Sequence, residues 1–142
     1  MPVAIMAMGI VFNLLNGMMQ AGGLFYFAPE GLYADGWAYL LKPHALLGVI
    51  LFFAGMFINL HSDYVIRHLR KPGDTKHYLP GKGLYRYVTS ANYFGELVEW
   101  TGFAILTASP AAWVFVWWTF ANLVPRADAI HCHYREELVM RR

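Results

Sequence analysis

Apolar residues gather into separate runs along this chain, and polar residues collect between them. The first run extends from Val3 to Phe27 and is broken only by Asn13, Asn16 and Gln20. Those three recur at i, i+3 and i+7, so a helix places them on one face, where polar side chains bond between helices in lipid or line a cavity. The segment from Ala28 to Pro43 mixes Pro, Gly, Asp and Glu with Tyr and Trp and reads as an extramembrane loop with interfacial aromatics. A second helix is predicted from His44 to Leu69, apolar as far as Ile58 and increasingly polar beyond. A basic stretch broken by Pro and Gly follows, from Arg70 to Gly83. The third helix is predicted over Ala91 to Thr107, and Ala108-Ser109-Pro110 makes a tight connection to a fourth over Ala111 to Val124. The polar tail from Arg126 to Arg142 is expected to be helical in part. A helix crossing the hydrocarbon core needs roughly 20 mostly apolar residues, so the pattern predicts an all-α, polytopic membrane helix bundle of about four spans. It forms a single membrane domain over residues 1–142, without internal repeats.

Composition agrees. Hydrophobic residues make up 58% of the chain and charged residues 14%, whereas soluble domains carry about a quarter charged residues. With 11 basic against 9 acidic residues, the charge balance excludes a nucleic-acid partner. The lone Cys132 excludes an internal disulfide framework, and no basic segment precedes the first apolar run as it would in a secretory signal. Charge also orients the bundle. Arg67, Arg70, Lys71, Lys76, Lys82 and Arg86 face only Asp74 in the central loop. The positive-inside bias therefore puts that loop and the tail in the cytoplasm.

Two polar stripes stand out, because charge in or beside a spanning helix is costly and marks function by default. Asn59, Asp63, Arg67 and Arg70 recur at i, i+4, i+8 and i+11; Asn92, Glu96 and Glu99 recur at i, i+4 and i+7. Both lie at the predicted cytoplasmic ends of their helices and can converge on one cavity, with Arg126, His131, His133 and Tyr134 following the fourth helix on the same side. Arg70, Lys71 and Arg126 suit phosphate, while Asn92 and Glu96 can hydrogen-bond an amide-bearing ring. For the loop lysines the competing reading is a patch for anionic membrane lipid; for the acids it is ion pairing with neighbouring arginines. Gly81-Lys82-Gly83 lacks the strand and third glycine of a dinucleotide loop. His61-Ser62-Asp63 is not a triad, since adjacent helical residues do not face one another. The two imidazoles of His131-Cys132-His133 diverge on a helix, so no metal site is expected.

Gly55-Met56-Phe57-Ile58-Asn59-Leu60-His61-Ser62-Asp63, running to Leu69-Arg70-Lys71-Pro72-Gly73, resembles the steroid 5α-reductase family. So do Gly83-Leu84-Tyr85-Arg86-Tyr87-Val88, the block Ala91-Asn92-Tyr93-Phe94-Gly95-Glu96 with Glu99-Trp100, and Pro125-Arg126-Ala127 with His131 and Tyr134. The resemblance covers nearly the whole chain and implies the C-terminal, cofactor-binding part of a seven-helix membrane enzyme. The implied activity is NADPH-dependent reduction of the C4–C5 double bond of a 3-oxo-Δ4-steroid or related lipid enone, by hydride transfer to the β-carbon and protonation of the α-carbon. Asn59, Asp63 and Arg70 would hold the adenine-ribose and phosphate portion, and Asn92 and Glu96 the nicotinamide amide with Trp100 nearby. Arg126, His131 and Tyr134 would close the cavity. The host membrane would be the endoplasmic reticulum or a bacterial inner membrane, with the cofactor site facing the cytoplasm. Alternatives are another lipid reductase or methyltransferase of the same superfamily, and a non-catalytic NADPH- or lipid-binding remnant. Two departures stand out: Tyr78 occupies a usually basic position before Leu79-Pro80, and the chain opens within what resembles the fourth family helix. The upstream helices, which carry the groups that polarise the steroid ketone, would have to come from a preceding segment or a partner chain. No catalytic residue is therefore assigned.

Overall fold

The computed structural model describes residues 3–69 and 80–140. Among them are four α-helices: α1 (Val3–Ala21), α2 (Pro43–Arg67), α3 (Ala91–Thr107) and α4 (Pro110–Met140). Helix α1 continues as a π-helical turn over Gly22–Tyr26, closed by the Phe27 amide donating to the Gly22 carbonyl at 2.9 Å. Short 3-10 segments, Gly36–Leu41 and Gly83–Arg86, lie before α2 and α3.

Two stretches, Val3–Tyr26 and Pro43–Arg67, are long and apolar enough to cross a membrane. Only 6% and 22% of their apolar windows are buried inside the molecule. The core helix of a soluble protein would hide that surface; here it faces outward, as lipid-facing helices do. The molecule is an all-helical membrane bundle.

Its most extensive interface joins antiparallel α2 and α3, and glycine sets the distance between them. Gly48 and Gly55 on α2 meet Gly102 and Gly95 on α3, each pair one heptad apart. A β-carbon on Gly55 would lie 2.2 Å from the Glu99 nitrogen, and one on Gly102 would lie 2.3 Å from the Phe52 nitrogen. The backbones therefore touch directly, the packing that membrane helices use when no hydrophobic gain separates lipid from protein. Fully buried Ala45 and Ala91 and nearly buried Ser62 extend the seam.

Helix α3 ends where Ala108 adopts a left-handed conformation, φ 49°. Two tyrosines from the α1–α2 connection satisfy carbonyls that its last turn leaves open. The Tyr39 hydroxyl donates to the Leu106 carbonyl at 2.8 Å, and the Tyr33 hydroxyl donates to the Thr107 carbonyl. Burial pushes both phenols above their usual pKa. The loop expected over 28–43 thus contains an ordered clamp on α3.

The fourth helix differs from expectation. It does not stop at Val124 but runs 31 residues, through Pro125. Proline removes one backbone bond and clashes with the carbonyl four residues earlier. That carbonyl belongs to Ala121, and both residues are exposed, so the freed group is not sealed in the bundle. One turn earlier, Asn122 Nδ2 donates to the Trp118 carbonyl at 2.8 Å. At 1.5 Å per residue α4 is about 46 Å long, beyond the roughly 30 Å of hydrocarbon.

The α1 polar face divides its bonds. Asn13 Nδ2 donates to its own helix at the Gly9 carbonyl, 2.8 Å away. Gln20 Nε2 donates to Asn16 Oδ1 at 3.3 Å and crosses to the Ala111 carbonyl of α4 at 3.4 Å.

Candidate functional site

The C-terminal end of α2, the N-terminal end of α3 and the second half of α4 lie at one end of the bundle, with the Gly83–Arg86 turn wedged between α2 and α3. Gly83 has φ +61°, and a β-carbon there would lie 2.7 Å from His61 Cε1. Glycine lets the turn lie flat on that imidazole, itself stacked on Phe57. The next residues bury Tyr85 against Val65 of α2 and Ala91 of α3, with Leu84 packed alongside.

Tyr85 is the centre of the polar cluster. It is only 8% exposed, and its hydroxyl donates to Asn92 Oδ1 at 3.3 Å. Burial pushes its pKa up to about 12; a hydrogen bond with the Asn92 backbone opposes the shift, and electrostatic repulsion from Tyr134, Asp63 and Tyr93 adds to it. Residues of α2, α3 and α4 thus act on one phenol that stays protonated at physiological pH.

Among the expected site residues, Asp63 pairs with Arg67 one turn along α2, at 2.6 Å, with both side chains well exposed. Asn59 lies opposite Gly95 across the seam, within hydrogen-bonding reach of the Glu99 carboxylate. Half-buried Glu96 sits within electrostatic range of Glu99 on its own helix and of Arg126 on α4. Asn92 and Glu96 share a face at i, i+4. Trp100 stands edge-on to Phe115 at 4.3 Å and to Phe103 at 5.8 Å, locking α3 to α4 one turn below Glu96. His131 lines a mostly apolar cavity of about 400 Å³ between α3 and α4, with Tyr93, Phe94, Leu97 and Leu123. Arg70, with Lys71, Lys76 and Tyr78, lies outside the described residues.

The structure therefore brings Asp63, Asn92 and Tyr134 together around Tyr85, and sets Glu96 beside Glu99 and Arg126. His131 is on the cavity between α3 and α4. Tyr85 was missed as a site residue by sequence reasoning. Its signal was a tyrosine one heptad before Asn92, in a turn opened by glycine.

Asn92 and Glu96 present donors and an acceptor on one half-buried face, and a primary carboxamide offers the complement. Arg126 adds a fixed positive charge that suits phosphate. This donor set fits a pyridine nucleotide.

Residues 1–139 match the family described as 3-oxo-5-alpha-steroid 4-dehydrogenase. The chain is 42% identical over 137 residues to 3-oxo-5-alpha-steroid 4-dehydrogenase 1 of Bos taurus, covering 96% of this chain and 51% of that protein. Against the human enzymes 1 and 2 it is 43% and 41% identical, over 94% of this chain and 50% of each. It spans about half the length of the curated relatives it matches. On the match along nearly its whole length, this chain belongs to the 3-oxo-5-alpha-steroid 4-dehydrogenase family.

Proposed function

We propose that the chain supplies the NADPH site of a membrane reductase acting on the C4–C5 double bond of 3-oxo-Δ4-steroids or a related lipid enone. The observation that carries this is the half-buried Asn92–Glu96 face beside Arg126, in a chain of this family. When bound, NADPH supplies the hydride. Glu96 accepts an N–H from the carboxamide and, with Asn92, holds the ring in one orientation. Trp100, wedged against Phe115, keeps that face of α3 at a fixed distance from α4. Arg126 balances the Glu96 carboxylate and offers a partner for phosphate, with Arg70 as the second. The cluster faces the cytoplasm, where the basic side of the bundle lies.

A second reading, a cofactor-binding piece without turnover of its own, is favoured by the engagement of its half-buried polar groups with one another, Tyr85 with Asn92 and Glu99 with Asn59. The two are separated by titrating the chain in lipid nanodiscs with NADPH and assaying steroid product in parallel. Saturable NADPH binding that weakens in Glu96→Gln supports the site. Absence of binding overturns it, and tight binding of S-adenosylmethionine in its place would assign the chain to methyl transfer.

A further inference from the structure

Tyr85 carries the furthest inference, because its hydroxyl settles which way a neighbouring amide faces. An asparagine amide is two-ended, with an acceptor oxygen and an NH₂ donor of nearly the same shape. Left alone at the end of a helix, Asn92 could present either end to a ligand. The Tyr85 hydroxyl has one proton, and it is committed to Asn92 Oδ1. The ring that carries it is clamped by Val65, Ala91 and Leu84, on a turn anchored by Gly83 over His61. With Oδ1 engaged, Nδ2 lies at the opposite end of the planar amide. At 3.3 Å the bond is long for O–H···O, and contacts of this kind tighten when a ligand fills the site.

We propose that Tyr85 is a positioning residue that fixes the Asn92 amide with its N–H donors toward the ligand. Asn92 then donates to the carbonyl oxygen of a primary carboxamide while Glu96 accepts its N–H, so the pair reads both ends of that group. The inference rests on the NADPH reading above. Tyr85 itself does not touch the ligand; it acts through Asn92. Without its hydroxyl the amide can turn over and set Oδ1 against the ligand's carbonyl oxygen.

The test uses Tyr85→Phe, which keeps the packed ring, in the 142-residue chain in nanodiscs. Affinities are measured for NADPH, for its thionicotinamide analogue, which weakens the carbonyl acceptor, and for its 3-acetylpyridine analogue, which lacks the N–H donor. The unaltered chain should bind both analogues less tightly than NADPH. In Tyr85→Phe, discrimination against the thio analogue should fall by up to about tenfold, while discrimination against the acetyl analogue, which reports on Glu96, persists. In an Asn92→Ala background, Tyr85→Phe should have no further effect, because the pair acts as a unit. Equal weakening of all three ligands, unchanged thio discrimination, or full additivity with Asn92→Ala would each overturn the inference and leave the NADPH site standing. Failure of the unaltered chain to bind NADPH would overturn both.

Discussion

Two carboxylates on one helical face, Glu96 and Glu99, set the tone at the scale of single residues. Half-buried negative charges need donors, and the nearest are Arg126 for Glu96 and Asn59 for Glu99. A carboxamide N–H would complete the shell of Glu96. Glu96→Gln keeps the shape and removes the charge assistance, worth about 1.4 kcal/mol. NADPH affinity, or hydride transfer in a catalytically complete assembly, should fall roughly tenfold or more. Unchanged binding by fluorescence titration would remove Glu96 from the site. Tyr85 makes a separate prediction through pH. Its folded pKa, about 12, lies above the ordinary value of 10.0. Below about pH 10 both folded and unfolded states keep the proton, so this group adds no pH dependence. Between about 10 and 12 only the folded state keeps it, and stability should fall by about 1.4 kcal/mol per pH unit as pH rises. Thermal unfolding across that window should show the slope in the unaltered chain and a shallower one in Tyr85→Phe. Equal slopes would mean that the phenol is not buried as described. Asn92 and Glu96 were legible because a polar pair at i, i+4 in an apolar helix is conspicuous. Tyr85 was not, because its role depends on a turn folding back between two helices.

Among the elements, α3 was readable to the residue and α4 was not. The apolar run of α3 stops at Ala108-Ser109-Pro110, and the helix stops there too. In α4 the apolar run ends at Val124, yet the helix continues through Pro125 to Met140. The tyrosine clamp on α3 joins residues 74 and 67 positions apart, so no local pattern could announce it. The glycine seam is in the sequence as two heptad-spaced pairs, but it becomes a seam only once antiparallel register sets Gly55 against Gly95. Substitution should separate the glycines sharply. Gly55→Ala puts a methyl 2.2 Å from a backbone nitrogen, which forces the helices apart at an overpacking cost of about 1–3 kcal/mol and parts Asn59 from Glu99. Gly17→Ala, with nothing within 4 Å, should instead stabilise α1 by up to about 1 kcal/mol through helix propensity. Unfolding in detergent, followed by circular dichroism, measures both. A tolerated Gly55→Ala would rule out backbone contact between α2 and α3.

For the molecule as a whole, the outward-facing apolar helices and the lopsided charge fix what the bundle can be. If the positive-inside bias orients it, single cysteines at Asp35 and Lys82 in a Cys132→Ser background should label from opposite faces, with Lys82 cytoplasmic. Labelling of both from one side would break the topology. The same basic end should favour NADPH over NADH, since each charge-assisted bond to the extra phosphate adds about 1.5–3 kcal/mol. Equal affinities would remove the arginines from the phosphate site. The last expectation separates binding from turnover. Reducing an enone requires a hydride at the β-carbon, a proton at the α-carbon and a group that polarises the ketone. Among the described residues, three polar groups of the cluster are already engaged: Tyr85 donates to Asn92, and Glu96 and Glu99 lie with Arg126 and Asn59. Tyr87 is 85% exposed, so water would compete for any ketone it met. None of these is a preorganised donor in a water-excluded pocket, which is the arrangement that lowers such barriers most. The chain should therefore bind NADPH without reducing steroid when it is the only protein present. Co-reconstituting it with the part of a relative that it does not match is the comparison arm of that assay. Product formed by this chain alone would show the ketone-polarising group to be internal, and single substitutions of Tyr87, Tyr93 and Glu99 would then identify it.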